Sequence, residues 1–159
     1  MGYLLGKRSI SNLAGVHPAL VMVVKRAIEI TGQDFLVLEG VRPKARQHEL
    51  FGKGRTVAQL MAAGVDASNA RPGLAKVTWT LNSNHFKQLD GFGHAVDLVP
   101  WPVDWNTPRK FDAIADAMQD AARDLGVTIR SGMDWDRDGK RRERGESDSP
   151  HFELWGPGL

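Results

Sequence analysis

The segment from Arg109 to Leu125 limits the possible folds of this chain more than any other feature of the sequence. Its apolar residues recur at helical spacing and form one stripe, which consists of Phe111, Ile114, Ala115, Met118, Ala121, Ala122 and Leu125. A helix with such a stripe is stable in water only when the stripe packs against another apolar surface. The rest of the chain must supply that surface.

Short apolar segments bounded by Gly, Pro and polar residues are typical of β-strands and could supply it. The segments are Asp34–Gly40, Lys76–Thr80, His94–Pro100, Gly126–Arg130 and His151–Trp155. Helical spacing also predicts a helix from Pro18 to Thr31, and shorter helices are expected after Pro43 and Thr56. Helices and strands mixed in this order predict a small α+β fold.

The size of the chain favours one domain, residues 1–159. With 159 residues, 42% of them hydrophobic, it can bury one sizeable core, and no linker-like segment divides it. The apolar patch in MGYLLGKRSISNLAG is too short for a signal peptide or a membrane span, so we expect synthesis in the cytoplasm without membrane insertion. A formal charge of +2 is too small to indicate nucleic-acid binding.

Histidine and carboxylate side chains are the candidates for a metal site, because the chain has no cysteine. Asp97 interrupts an apolar strand, where an ionised carboxylate needs a partner. His85 precedes that strand and His151 begins the last one. Two imidazoles and one carboxylate would leave an open position on Zn²⁺. The alternative is that hydrogen bonds satisfy each of these groups separately.

Other residues near these positions are secondary candidates. Asp148 lies three residues before His151 and could act as general base and then general acid beside a metal. Trp135 could form part of the rim of a substrate groove, although aromatic residues more often fill the core. Asp134, Asp136 and Asp138 resemble the start of a calcium loop, but the twelfth position is Gly145 where an EF-hand has glutamate, so a solvated turn is the alternative.

Two stretches of the chain, SNHFKQLDGFGHAVDLVPW and DSPHFEL, resemble the family of zinc D-Ala-D-Ala carboxypeptidases and L-alanyl-D-glutamate endopeptidases, particularly bacteriophage endolysins. The family pattern is SxHxxGxAxD, followed later by a carboxylate, two residues and His. The matching residues are Ser83, His85, Gly93, Ala95, Asp97, Asp148 and His151. GVRPKARQ also resembles an upstream Gly-x-Arg segment of the family. The resemblance covers the chain from about Phe35 to Trp155.

The resemblance implies a hedgehog/D-Ala-D-Ala-peptidase-like fold, in which a central, mostly antiparallel sheet is flanked by helices. It implies one Zn²⁺ ion held by three ligands, a proton carrier, an arginine that stabilises the polarised carbonyl, and a serine that contacts substrate or holds the ligand loop. In this chain the three ligands would be His85, Asp97 and His151. The proton carrier would be Asp148, the arginine Arg42 and the serine Ser83.

The implied function is that of a phage endolysin that cleaves stem peptides of bacterial peptidoglycan, with L-alanyl-D-glutamate as the preferred bond. Such an enzyme would be a monomer without a separate cell-wall-binding domain. It would be made in the host cytoplasm and would act in the periplasm after a holin opens the inner membrane. The alternatives are a D-alanyl-D-alanine carboxypeptidase and a non-catalytic metal-binding module of the same fold.

His94 is the alternative to His85 as first ligand. The segment FKQLDGF between His85 and Gly93 is five residues longer than in the compact motif. Side chains alternate along a strand, so His94 and Asp97 are expected on opposite faces, which favours His85.

Overall fold

A computed structural model describes residues 2–157 of the chain. The helices are α1 (Lys7–Asn12), α2 (Pro18–Ile30), α3 (Lys44–Gly52), α4 (Val57–Ala62) and α5 (Pro108–Leu125), with one 3-10 turn at Ala67–Asn69. The strands are β1 (Phe35–Glu39), β2 (Ala95–Pro100), β3 (Ile129–Ser131) and β4 (His151–Leu154). None of the helices in residues 2–157 is long and apolar enough to cross a membrane.

The four strands form one sheet in the order β1-β2-β4-β3, and each neighbouring pair is antiparallel. The predicted α+β fold with an antiparallel central sheet is thereby confirmed. In the register, Asp97 lies opposite His151, and Glu153 lies opposite both Ala95 and Arg130. Directly opposed residues have neighbouring side chains, so these pairings bring polar groups from three strands together.

One face of the sheet packs against α2 and α5. The apolar stripe of α5 packs with side chains of α2 and of all four strands to form one buried core. The strand residues in this core include Phe35, Val37, Val96, Leu98, Ile129, Phe152 and Leu154. Because strand side chains alternate, Asp97, Arg130, His151 and Glu153 lie on the other face. The prediction that the stripe from Arg109 to Leu125 packs against another apolar surface is confirmed. Gly126 ends the helix in the left-handed conformation with φ 67°.

The predicted strand at Lys76–Thr80 is wrong. The segment has no regular structure, and Val77 and Trp79 are exposed. Its backbone carbonyls are occupied by side chains rather than by a strand: Arg55 Nη1 donates to Thr78 O at 2.9 Å, and Gln47 Nε2 donates to Thr80 O at 2.7 Å. Side-chain hydrogen bonds to its carbonyls, rather than strand pairing, therefore attach this segment to the fold.

Helix α1 was not predicted, because KRSISN has no apolar periodicity. It lies against the edge strand β1. Val37 N–H donates to Ser9 Oγ at 3.0 Å, and Asn12 Nδ2 donates to Val37 O at 2.9 Å and to Leu38 O at 3.2 Å. These side chains satisfy backbone groups that would otherwise be exposed at the edge of the sheet.

Candidate active site

A groove of about 1100 Å³ lies on the sheet face opposite α2 and α5. The end of β1 and the start of α3 form one wall, and the irregular segment before β2 forms another. Its lining includes every candidate residue named from the zinc-peptidase motifs, namely Arg42, Ser83, His85, Asp97, Asp148 and His151, together with Trp135.

Three atoms form a triangle at the floor of the groove. His85 Nε2 lies 3.2 Å from His151 Nδ1 and 3.3 Å from Asp97 Oδ1, and His151 Nδ1 lies 3.5 Å from Asp97 Oδ1. Within residues 2–157, Asp97 Oδ1 is buried and has no hydrogen-bond partner, and it lies close to one nitrogen of each imidazole.

The outer nitrogen of each imidazole is held by an acceptor. His85 Nδ1–H donates to Gly40 O at 2.8 Å, and His151 Nε2–H donates to Glu153 Oε1 at 2.7 Å. These partners leave the lone pairs of His85 Nε2 and His151 Nδ1 facing the carboxylate of Asp97. Three electron-rich atoms this close together could hold a metal ion between them.

The triangle fits a zinc ion. Bond lengths of about 2.0–2.1 Å in a tetrahedral site place ligand atoms about 3.3 Å apart, close to the three observed distances. Two imidazoles and one carboxylate also form a ligand set typical of catalytic zinc, which keeps a fourth position open. The donors present therefore suit the metal that the sequence motifs imply.

The charges of this cluster shift its pKa values. Burial raises the pKa of Asp97, but the two adjacent imidazoles outweigh burial and hold this pKa below its usual range. Burial lowers the pKa of His151, but the carboxylates of Asp97 and Glu153 outweigh it and raise the pKa to about 9. A proton on His151 and a metal ion thus compete for the same position.

Asp148 lies beside the triangle without belonging to it. Its Oδ2 is 3.9 Å from His151 Nδ1, and half of its side chain is exposed to the groove. Partial burial and the negative charge of Asp97 raise the pKa of Asp148, against the opposite effect of His151. A carboxyl group with a raised pKa is suited to both accept and donate a proton near neutral pH.

Gly132 allows Asp148 and His151 to approach β3. Gly132 N–H donates to His151 O at 2.8 Å, and Asp148 N–H donates to Gly132 O at 3.1 Å. A Cβ at position 132 would collide with the carbonyl oxygen of Asp148 and would lie 3.0 Å from the Cβ of His151. The close packing of these three residues therefore requires glycine.

Arg42 lies on the other side of Asp97, with Nη2 3.6 Å from Asp97 Oδ2. It binds Glu39 through two hydrogen bonds of 2.9 and 2.7 Å, and Nη1 donates to Gln47 Oε1 at 2.7 Å. Gln47 is completely buried. The guanidinium is thus fixed at the edge of the groove.

Ser83 and Trp135 border the same site. Ser83 Oγ accepts a hydrogen bond of 3.1 Å from His85 N–H, which holds the loop that carries His85. The ring of Trp135 lies 5.3 Å from the ring of His151.

His94 lies outside the triangle. Its Nε2–H donates to Asp90 Oδ2 at 2.7 Å, and its ring contacts the ring of His17 edge-on at 5.4 Å. Asp90 belongs to the additional residues between His85 and Gly93, so this contact fastens the longer loop to the start of β2. The loop therefore lengthens one wall of the groove while His85 remains at the triangle.

Glu153 is a polar residue of the site that the sequence reasoning missed. Its carboxylate is buried against His151 and binds Asn84 Nδ2 at 2.9 Å and Arg130 Nη2 at 3.0 Å. Burial raises the pKa of Glu153, but the contacts with His151 and Arg130 outweigh it and lower the pKa. The alternation of HFEL, in which His151 and Glu153 share a face, was the signal that could have identified it.

The acidic loop after β3 brings a second set of carboxylates together. Oxygens of Asp134, Asp136 and Glu146 lie within 4.8 Å of one another, as do those of Asp136, Asp138 and Glu143. An EF-hand has glutamate at the twelfth position of its loop, where this chain has Gly145. Glu146 is the next residue. Glu146 Oε2 also accepts a hydrogen bond of 2.6 Å from Trp135 N–H.

Comparison with known proteins gives consistent matches. The family model for phage L-alanyl-D-glutamate peptidase matches residues 1–64 and 57–155. The L-alanyl-D-glutamate peptidase of Escherichia phage T5 is 31% identical in an alignment of 160 positions, and the match covers 97% of this chain and 99% of that protein.

A solved structure supports the same relationship. The L-Ala-D-Glu endopeptidase ChiX of Serratia marcescens superposes with a TM-score of 0.63 and is 32% identical, over 96% of this chain and 90% of that one. These matches confirm the resemblance that the two motifs indicated and the peptidase class that it implied. The chain belongs to the family of phage L-alanyl-D-glutamate peptidases.

Proposed function

We propose that this protein is an endolysin that uses Zn²⁺ to hydrolyse the L-alanyl-D-glutamate bond of peptidoglycan stem peptides. The observation that carries the proposal is the triangle of His85, Asp97 and His151, with distances of 3.2 to 3.5 Å between the ligand atoms. Family membership supports the choice of bond.

In the proposed reaction, His85, Asp97 and His151 hold the metal and the remaining groups act on the substrate. Zinc, when bound, supplies Lewis-acid activation of water and of the scissile carbonyl. Asp148 takes a proton from the attacking water and passes it to the leaving amine. Arg42 donates to the carbonyl oxygen as negative charge develops on it.

Exposed basic side chains on the walls of the groove suit an acidic peptide. Lys44, Arg46 and Lys87 are exposed along its walls, and D-glutamate retains a carboxylate within the stem peptide. Their attraction for the substrate is modest because all three are solvated. Trp135 and Ser83 are proposed to contact the substrate next to the metal.

The decisive experiment is digestion of purified peptidoglycan followed by mass analysis of the fragments. Cleavage of the proposed bond creates new N-terminal D-glutamate. Release of terminal D-alanine alone would instead indicate the carboxypeptidase alternative, and the absence of any product from zinc-loaded protein would favour the non-catalytic module.

Asp148 distinguishes catalysis from metal binding. We expect Asp148→Asn to retain zinc but to lose about 100- to 10,000-fold in turnover, whereas His151→Ala should lose both. Asp120→Asn, an exposed change on α5, is the matched control and should leave both unchanged. Normal lysis of permeabilised cells by Asp148→Asn would refute the assigned base.

A second cation site is proposed at Asp134, Asp136 and Asp138, where Ca²⁺ would bind with Glu146 as an additional carboxylate. The support is that oxygens of Asp134, Asp136 and Glu146 lie within 4.8 Å of one another, and that Asp138 joins Asp136 and Glu143 in an adjacent group on the same loop. Terbium luminescence sensitised by Trp135 tests it: the signal should saturate, fall on addition of calcium and be lost in Asp136→Asn. A linear, non-saturating signal would contradict the site.

The biological setting follows from the same proposal. Residues 1–159 are proposed to act as one monomeric catalytic domain, made in the host cytoplasm and released to the cell wall by a holin. When the protein is expressed in a host with or without a holin gene, lysis should occur only in the cells that also express the holin. Sedimentation of the purified protein should give the mass of one chain.

A further inference from the structure

Glu153 is a buried carboxylate, which is costly in a folded protein unless it is paired. Only 5% of its side chain is exposed, on a strand whose other face forms the hydrophobic core. It lies two residues after His151, so both side chains project from the same face of β4.

The two oxygens of Glu153 have different partners. Oε1 accepts the 2.7 Å hydrogen bond from His151 Nε2–H. Oε2 accepts hydrogen bonds from Asn84 Nδ2 at 2.9 Å and from Arg130 Nη2 at 3.0 Å. The carboxylate therefore cannot rotate without breaking contacts on both sides.

Arg130 is itself held in place by aromatic rings. Its guanidinium carbon lies 3.8 Å from the ring centre of Trp155 and 4.9 Å from that of Trp135, and Nη1 donates to Trp135 O at 3.3 Å. Two indoles and one carbonyl thus fix the donor that orients Glu153.

We propose that Glu153 is a positioning residue for the metal centre, which fixes the ring orientation and the Nε2–H tautomer of His151 so that Nδ1 faces the metal. Asn84 and Arg130 keep Glu153 in the required rotamer. This inference rests on the proposed function, because it assumes a metal at the triangle. An acceptor on the outer nitrogen of a ligand histidine also raises its basicity, and removal of such a partner typically lowers metal affinity about 10- to 100-fold.

Glu153→Gln is the most informative change, because it keeps the size of the side chain. An amide has only one oxygen, so it can accept from His151 or from Asn84 and Arg130, but not from both sides. Zinc affinity, measured by competition with a chromophoric chelator, should fall about 10- to 100-fold. Glu29→Gln, an exposed change on α2, is the control and should leave it unchanged.

Two further measurements separate positioning from general stability. In zinc-loaded wild-type protein, proton NMR should show a slowly exchanging, far-downfield resonance from His151 Nε2–H, which should move upfield and exchange faster in Glu153→Gln. Asn84→Ser, which removes one donor to Glu153 but leaves His151 intact, should weaken zinc binding less than Glu153→Gln does.

The outcomes are separable from those that test the function itself. If wild-type protein binds no zinc, the proposed function fails. If it binds zinc but Glu153→Gln matches its affinity and retains the downfield resonance, only the role of Glu153 is overturned. Weaker zinc binding together with loss of the resonance, while Glu29→Gln is unaffected, supports the inference.

Discussion

Arg42 has five N–H groups, and Glu39 and Gln47 use three of them. The remaining N–H groups on Nη1 and Nη2 can donate to a substrate oxygen at the edge of the groove. A guanidinium held at this point stabilises developing negative charge without reorganising during the reaction.

We expect Arg42→Lys to lower kcat about 100- to 1000-fold, because lysine cannot reproduce the planar set of donors. Zinc content should remain that of the wild type, since Arg42 is not a ligand. Arg26→Lys on α2, whose contacts are exposed, is the control for loss of an arginine. Full activity of Arg42→Lys in a stem-peptide assay would exclude the assigned role.

The pKa of His151 predicts a pH dependence of stability in protein stripped of metal. This pKa is raised from 6.5 to about 9 on folding, so protonated His151 stabilises the folded state. This contribution is fully present below pH 6.5 and is lost as the pH rises through 9. The free energy of unfolding in chelator should therefore decrease over this interval, by no more than about 3 kcal/mol.

Denaturant unfolding at several pH values measures this effect. His151→Gln, which does not titrate, should show a flatter profile between pH 6.5 and 9. If the unfolding free energy changes with pH equally in the wild type and in His151→Gln, the pH dependence does not come from His151.

At the scale of the elements, the site depends on the turn that follows β3. Gly132 lies between Asp148 and His151, and it has no room for a side chain. The proposed base and one proposed metal ligand are therefore placed by a backbone contact rather than by their own side chains.

Gly132→Ala should displace Asp148 and His151, and we expect it to destabilise the protein by about 1–3 kcal/mol and to reduce both zinc affinity and turnover. Gly73→Ala is the matched control, because a Cβ at Gly73 meets nothing within 4 Å. Thermal unfolding together with chelator competition gives both quantities. A Gly132→Ala protein with wild-type zinc affinity would contradict the packing argument.

Elements with strong periodicity were predictable from the sequence, and elements that depend on distant partners were not. The stripe of α5 and the alternation of β4 reflect burial along a single segment. Lys76–Thr80 has a similar apolar alternation, but side chains of Arg55 and Gln47 occupy its carbonyls. Helix α1 has no such pattern, because its contacts with β1 are made by polar side chains.

At the scale of the whole molecule, the proposed metal site links segments that are distant in the chain. His85, Asp97 and His151 come from the loop before β2, from β2 and from the last strand. An ion bound to all three stabilises the folded state in preference to the unfolded chain.

Removal of zinc should therefore lower the unfolding temperature. At free zinc of 100 times Kd the stabilisation is about 2.7 kcal/mol, which corresponds to roughly 5–10 °C for a chain of this size. Calorimetry with and without chelator measures the change, and added zinc should restore it. His151→Ala should show no zinc-dependent shift, and a wild-type midpoint indifferent to chelator would contradict the site.

The sequence by itself determined the α+β class and the candidate residues Arg42, His85, Asp97, Asp148 and His151, because motif spacing and burial patterns are properties of the linear chain. The tertiary structure decided which polar atoms meet. Antiparallel pairing of β2 and β4 sets Asp97 opposite His151, and pairing of β3 with β4 sets Arg130 opposite Glu153. The convergence of His85 on that pair, and the contacts of Glu153 with His151, Asn84 and Arg130, depend on pairing between strands and loops, which no local pattern encodes.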